Sequence, residues 1–227
     1  MTVACSLSHA PDGSGRKVAA LLLCHCGNAE SGRTALASAR AVAAPLIDRL
    51  GPIDYSELNR LLDSGFPKLA LNYWKSCFVV SLSDAVVDVL ISQFARCPSD
   101  MSKLIVEHPH GAALRRSASD MAFPHRAEGF SILILAQWQD AAASKENISW
   151  ARETHERLVS FAMPDAYSNY LGDDEAHARV KEAFGANFEH LQSLKNRYNP
   201  TNVFRHNQNI PPSSCRGAAE SSLAAAG

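Results

Sequence analysis

The sequence has no excess of charge of either sign. Its 22 Lys and Arg face 23 Asp and Glu, for a net charge of −1. No long-range field therefore draws the chain to nucleic acid or to an anionic membrane surface, and neither is expected as a partner. It also lacks any apolar run near the roughly eighteen residues that a membrane helix needs. The apolar residues 18–24 follow Arg16 and Lys17, but they are few and lead into His25, Asn28 and Glu30 instead of a small-residue cleavage site. They read as a core strand and not as a secretion signal. Phosphate-loop, dinucleotide and nucleophile-elbow motifs are missing, which removes the commonest nucleotide-binding and serine-hydrolase signatures. The six cysteines, at positions 5, 24, 26, 77, 97 and 215, lack the spacing of a disulfide framework. They fit reduced thiols, and the expected compartment is the cytoplasm. Cys24 and Cys26 flank His25, but zinc needs four convergent ligands and no second Cys or His pair stands at a usual spacing, so no metal is expected.

Hydrophobic residues make up 46% of 227, enough for one sizeable core. Residues 1–16, rich in Ser, Gly, Pro and Asp, read as a loose lead-in, and residues 213–227 read as a disordered small-residue tail. Between them strands are expected over 17–26, 69–80, 102–107 and 130–138, and helices over 28–43, 54–63, 145–161, 173–183 and 186–198, with one more following Ser83. Ser83 is a natural N-cap for the helix carrying Val86, Val87, Leu90, Ile91 and Phe94. Strands mixed with helices and no phosphate-binding glycines imply an α+β fold, an antiparallel or mixed sheet covered by helices on one face. An α/β sandwich with helices on both faces is the alternative. The domain reading is a substrate-binding α+β unit over 17–162 and a C-terminal segment over 163–212.

Three clusters could carry chemistry. In Tyr167-Ser168-Asn169-Tyr170 an extended backbone puts Tyr167 and Asn169 on one side and Tyr170 on the other. A phenol beside an amide can hydrogen-bond a planar polar ligand, and a tyrosine of lowered pKa can act as a general base. A Tyr pair packed at a loop edge is the plainer alternative. In residues 199–212 two Asn-based turns bracket Val203 and Phe204, and Asn207, Gln208 and Asn209 then present three amides before Pro211 and Pro212. Amides both donate and accept, as the alternating edge of a flavin or a base requires, although a self-capped loop reads equally well. In Tyr73-Trp74-Lys75, Tyr73 and Lys75 share one strand face and Trp74 takes the other. A lysine mid-strand calls for a wet cleft or a carboxylate, or guards a sheet edge. The stretch Glu107-His108-Pro109-His110-Gly111 reads as a turn with loop histidines.

Taken in order, residues 167–212 (YSNYLGDDEAHARVKEAFGANFEHLQSLKNRYNPTNVFRHNQNIPP) resemble the C-terminal signature of the berberine-bridge-like FAD-linked oxidoreductases, flavoproteins of the vanillyl-alcohol-oxidase type. Phe184 stands where Tyr is commoner in that family, and Asn199 where Asp is. Pro52 and Tyr55, Tyr73-Trp74-Lys75-Ser76, His110-Gly111-Ala112, Ala122-Phe123-Pro124-His125-Arg126, Trp138 and Trp150 resemble landmarks of its substrate domain. The resemblance implies an oxidoreductase that passes hydride from a small organic substrate to FAD, with oxygen as acceptor. It assigns Tyr167 as the catalytic base, Asn169, Asn207, Gln208 and Asn209 as flavin contacts, and Tyr73 and Lys75 as the substrate-facing side of the sheet. The family's FAD-binding half has no counterpart here, so this chain by itself is not expected to hold FAD tightly. The flavin would come from a separate FAD-binding chain, or else the chain is a non-catalytic remnant or binding module.

Overall fold

The computed structural model describes residues 1–163, 166–172 and 177–213. Five strands form one sheet: β1 (Thr2–His9), β2 (Lys17–Cys24), β3 (Leu71–Val79), β4 (Lys103–Glu107) and β5 (Phe130–Trp138). Their order is β2-β1-β4-β5-β3, and every neighbouring pair is antiparallel. The expected α+β sheet is therefore observed.

The helices are α1 (Ala29–Arg40), α2 (Tyr55–Leu58), α3 (Asp84–Ala95), α4 (Ser144–Val159), α5 (His177–Phe184) and α6 (Phe188–Tyr198). Ser83 caps α3 by accepting from the Val86 N–H at 3.4 Å, and Asn28 caps α1 by accepting from Ser31 N–H at 2.8 Å. These bonds satisfy N–H groups that the first helical turn leaves without partners. The helix expected over 54–63 is one turn, α2, followed by a 3-10 turn at Asp63–Gly65. The first part of the segment expected to be helical over 173–183, and the tail beyond 213, lie outside the described residues.

The N-terminus corrects one expectation. Residues 1–16 are not a loose lead-in: Thr2–His9 is a strand inside the sheet, bonded to β2 on one side and β4 on the other. The Pro, Asp and Gly residues that suggested looseness are the hairpin turn. Asp12 Oδ1 accepts from Ser14 N–H at 3.0 Å, and Gly13 takes φ +73, a conformation costly for any residue with a Cβ. The alternating Val3, Cys5 and Leu7 ahead of that turn carried the strand signal.

Helices α3 and α4 pack on one face of the sheet. Cys77, Val79, Leu104, Val106, Ile132, Ile134, Ala136 and Trp138 meet Val86, Leu90, Phe94, Trp150, Ala151 and Leu158 in one core. Two polar groups inside it are paired through Gln93: Trp150 Nε1–H donates to the Gln93 carbonyl at 2.9 Å, and the Thr154 hydroxyl to Gln93 Oε1 at 3.3 Å. Side chains alternate along a strand, so Asn72, Trp74, Ser76 and Phe78 of β3 point to the opposite face. The pairing register puts Lys103, Ile105 and Glu107 of β4 and Ser131, Leu133 and Leu135 of β5 on that same side.

Candidate functional site

The segment after α4 crosses to this second face. The Met163 N–H donates to the Phe78 carbonyl at 2.8 Å, and a 3-10 turn at Ser168–Tyr170 follows. Ala166 and Leu171 bury against Val180 and Ala183 of α5 in a small apolar cluster that holds the turn in place. From behind, Gln208 Nε2–H donates to the Leu171 carbonyl at 2.8 Å.

The turn separates its two tyrosines. Tyr167 Oη accepts from Asn169 Nδ2–H at 2.9 Å. Tyr170 Oη donates to Glu107 Oε1 on β4 at 3.1 Å. The rings meet edge to face with centroids 4.9 Å apart, a favourable aromatic arrangement. Their chemistry differs. Burial first, and then the Glu107 carboxylate beside it, push the Tyr170 phenol well above its ordinary pKa. Tyr170 is thereby kept as a neutral donor, whereas the Tyr167 oxygen accepts from an amide.

Aromatic rings line the surroundings. Trp74 stands 6.2 Å from Tyr170 and 6.0 Å from Phe66, centroid to centroid. On the other side Phe123 lies 5.5 Å from Tyr167, and His125 stacks on Phe78 at 4.9 Å. Asn187 holds the loop that carries Phe123 and His125, donating from Nδ2 to the carbonyls of Ala118 at 2.6 Å and Met121 at 2.9 Å. An open cleft of about 370 Å³ runs along the β3 edge past Asn72, Tyr73, Trp74, Arg152, Asn169 and Tyr170.

The other expected site residues are placed as follows. Tyr73 and Lys75 do share a face, but it is the helix-covered one. Arg152 of α4 donates from Nε to Tyr73 Oη at 2.9 Å, and Lys75, 9% exposed, sets its Nζ 5.4 Å from the Tyr73 ring centroid. They therefore do not form the sheet face opposite Tyr167, although Tyr73 reaches the edge cleft. The reason is register: the face carrying Cys77 and Val79 is the one α3 and α4 bury, and Tyr73 and Lys75 belong to it. Trp74 takes the position expected of them. The three amides are not grouped as a ligand edge either. Gln208 is engaged with Leu171, Asn209 Oδ1 accepts from Lys195 Nζ at 3.2 Å, and Asn207 is exposed at φ +56. These bonds fasten the exit segment to α6 and to the tyrosine turn. The sequence reading missed Glu107, which ends the expected strand over 102–107 and opens a turn, and Trp74, which looked like the wrong face. An even-numbered pattern of polar or aromatic residues opposite the core positions of β3 was the available signal.

The donor set suits a planar ring system with acceptor edges, such as a flavin or an aromatic substrate. Trp74 Nε1–H is buried with no acceptor among the described residues, and Tyr167 is half-buried. Such a ring in the cleft would meet the Trp74 indole and the Asn169 amide, which is itself bonded to Tyr167. Among the described residues no helix is long and apolar enough to cross a membrane, and no group of three or more His, Cys, Asp or Glu could hold a metal ion.

Comparison with known proteins agrees with this fold. Residues 166–211 match the family model "Berberine and berberine like". The chain is 22% identical over 215 residues to an FAD-linked oxidoreductase of Dictyostelium discoideum, covering 92% of this chain and 45% of that protein. It is 30% identical over 159 residues to Berberine bridge enzyme-like C-1 of Nicotiana tabacum, covering 56% of this chain and 28% of the relative. Among solved structures, 6-hydroxy-D-nicotine oxidase of Arthrobacter nicotinovorans superposes with a TM-score of 0.75 at 20% identity, over 93% of this chain and 48% of its own. The berberine bridge enzyme of Eschscholzia californica does so at 0.74 and 16%, with the same coverage. The resemblance to berberine-bridge-like FAD-linked oxidoreductases thus extends from the C-terminal signature to the fold, and the chain spans at most about half the length of the relatives it matches.

Proposed function

We propose that this chain is the substrate side of an FAD-dependent oxidoreductase acting on a small organic molecule that bears a hydroxyl group, with oxygen as the final acceptor. FAD, held mainly by residues outside this chain, supplies the hydride-accepting ring. This chain positions the substrate and manages its proton. Tyr167 accepts the hydroxyl proton, Asn169 steadies its oxygen, and Tyr170, fixed on Glu107, stays protonated beside it. The Trp74 indole and the Phe123 ring bound the space laterally and exclude water from it.

The division between the two tyrosines carries this reading: one phenol donates to a carboxylate, and the other accepts from an amide. Because Tyr170 is held as a donor, Tyr167 is the tyrosine left to serve as base, taking the proton in its phenolate form. General-base action of this kind contributes typically about 10²–10⁴-fold to a rate. The test combines the chain with an FAD-binding partner, by co-expression or fusion, and follows flavin bleaching in stopped flow on adding candidate alcohols. Tyr167→Phe should slow bleaching by that order while Tyr170→Phe slows it less. Equal rates for wild type and Tyr167→Phe would remove Tyr167 from its role. A complex that never takes up flavin would favour a binding module instead.

A further inference from the structure

Lys103 is the one cation that β4 directs to the face shared with Trp74 and Glu107. Its row-mates across the sheet are Leu135 of β5 and, beyond it, Trp74 of β3. The side chain is half-buried. Its Nζ stands 5.5 Å from the Phe66 ring centroid, and among the described residues its one hydrogen-bond acceptor is the Gly65 carbonyl at 3.5 Å, the outer limit of such a bond. No carboxylate pairs with it among the described residues. Asp63, in the same turn as Gly65, faces Arg60 at 3.9 Å, and Glu107, two rows along the strand, is engaged by Tyr170. A Cβ built on Gly65 would sit at an ordinary 3.5 Å from Nζ, so the amine lies directly against this turn.

We propose that Lys103 is a carbonyl-capture site: an amine that condenses reversibly with aromatic aldehydes entering beside Phe66 and Trp74. Three physical features support it. Burial favours the uncharged amine and holds Lys103 below the usual lysine pKa, in spite of the attraction between an ammonium and the Phe66 ring face. The neutral amine is the nucleophile. The flanking rings offer stacking surface to a planar aromatic aldehyde and little to a small aliphatic one. In the reaction the Nζ lone pair attacks the aldehyde carbon and a C–N bond forms. The carbonyl oxygen departs as water with the two protons of the amine nitrogen, relayed through solvent, leaving an imine. No electron changes hands in that step. This inference does not depend on the flavin reading, because neither the site nor the reaction involves a redox cofactor.

The experiment incubates the full chain with benzaldehyde and sodium cyanoborohydride, which reduces imines to stable amines, and maps the added mass by peptide mass spectrometry. Lys68 and Lys145, both exposed, serve as internal references. Lys103 should be the first lysine modified, ahead of both references. That preference should shrink with Phe66→Ala and with propanal in place of benzaldehyde. Lys103→Arg, which keeps the charge but forms no stable imine, should remove the early label and leave the slow labelling of Lys68 and Lys145 unchanged. Labelling of Lys103 no faster than of Lys68 and Lys145 would overturn the proposal. So would a preference that is insensitive to both Phe66→Ala and the choice of aldehyde.

Discussion

Removing the Tyr170 hydroxyl should loosen the tyrosine turn by a measurable amount. Tyr170→Phe keeps the ring, and with it the contacts to Tyr167 at 4.9 Å and Trp74 at 6.2 Å. What is lost is one hydrogen bond to a carboxylate across 63 residues of sequence. Bonds to charged groups contribute about 1.5–3 kcal/mol net. Glu107 is only half-buried, so water can partly replace the phenol, and about 1–2 kcal/mol is the expected loss in urea unfolding. Glu107→Leu should cost a similar amount. The double variant should cost less than the sum of the two, since both remove the same bond. A spectrophotometric titration gives an independent reading. In the wild type one phenol should ionise well above the ordinary value of 10.0, and in Tyr170→Phe that late transition should vanish. Glu107→Gln should lower it only in part, because burial is the larger cause. A phenol whose folded pKa is raised stabilises the fold fully below its unfolded value, so stability should fall as the pH climbs from about 10 toward the folded pKa, and Tyr170→Phe should flatten that fall. If the two substitutions add without coupling, or if the late titration survives Tyr170→Phe, the link between turn and sheet is not as described.

Two other measurements test the frame around the site. Ser102, fully buried, both accepts from the Gln137 N–H at 2.9 Å and donates to the Gln137 carbonyl at 3.2 Å; Ser102→Ala should therefore cost about 1–3 kcal/mol in urea unfolding, the range for an unmet buried donor. The Cys77 thiol is pushed up to about 12, chiefly by burial, so a maleimide at neutral pH should label exposed Cys26 first and Cys77 only when the protein unfolds.

Much of the architecture was legible along the chain. The strands around Trp74, Ile105 and Ile134, the Ser83 cap and the α4 stripe all follow from local periodicity, which a strand or helix imposes wherever it sits. The hairpin of β1 and β2 was misread for a local reason as well: Pro11, Asp12, Gly13 and Gly15 mark a turn, and a turn with only a short run before it looks like a frayed end. The site was less legible, since its parts come from positions near 74, 107, 123 and 167, and nothing in the interval between Glu107 and Tyr170 announces that they touch.

The sequence by itself determined that Tyr73 and Lys75 lie together and that Trp74 lies opposite, because alternation along a strand is a property of its backbone. It also determined the order of features in residues 167–212. It did not determine which face of β3 is the covered one. Alternation is indifferent to an exchange of the two faces, and the choice is made by where α3 and α4 place Leu90, Phe94, Trp150 and Leu158. Tertiary packing therefore turned Tyr73 and Lys75 inward under α4, put Trp74 and Glu107 beside Tyr170, and left Lys103 between the sheet and Phe66.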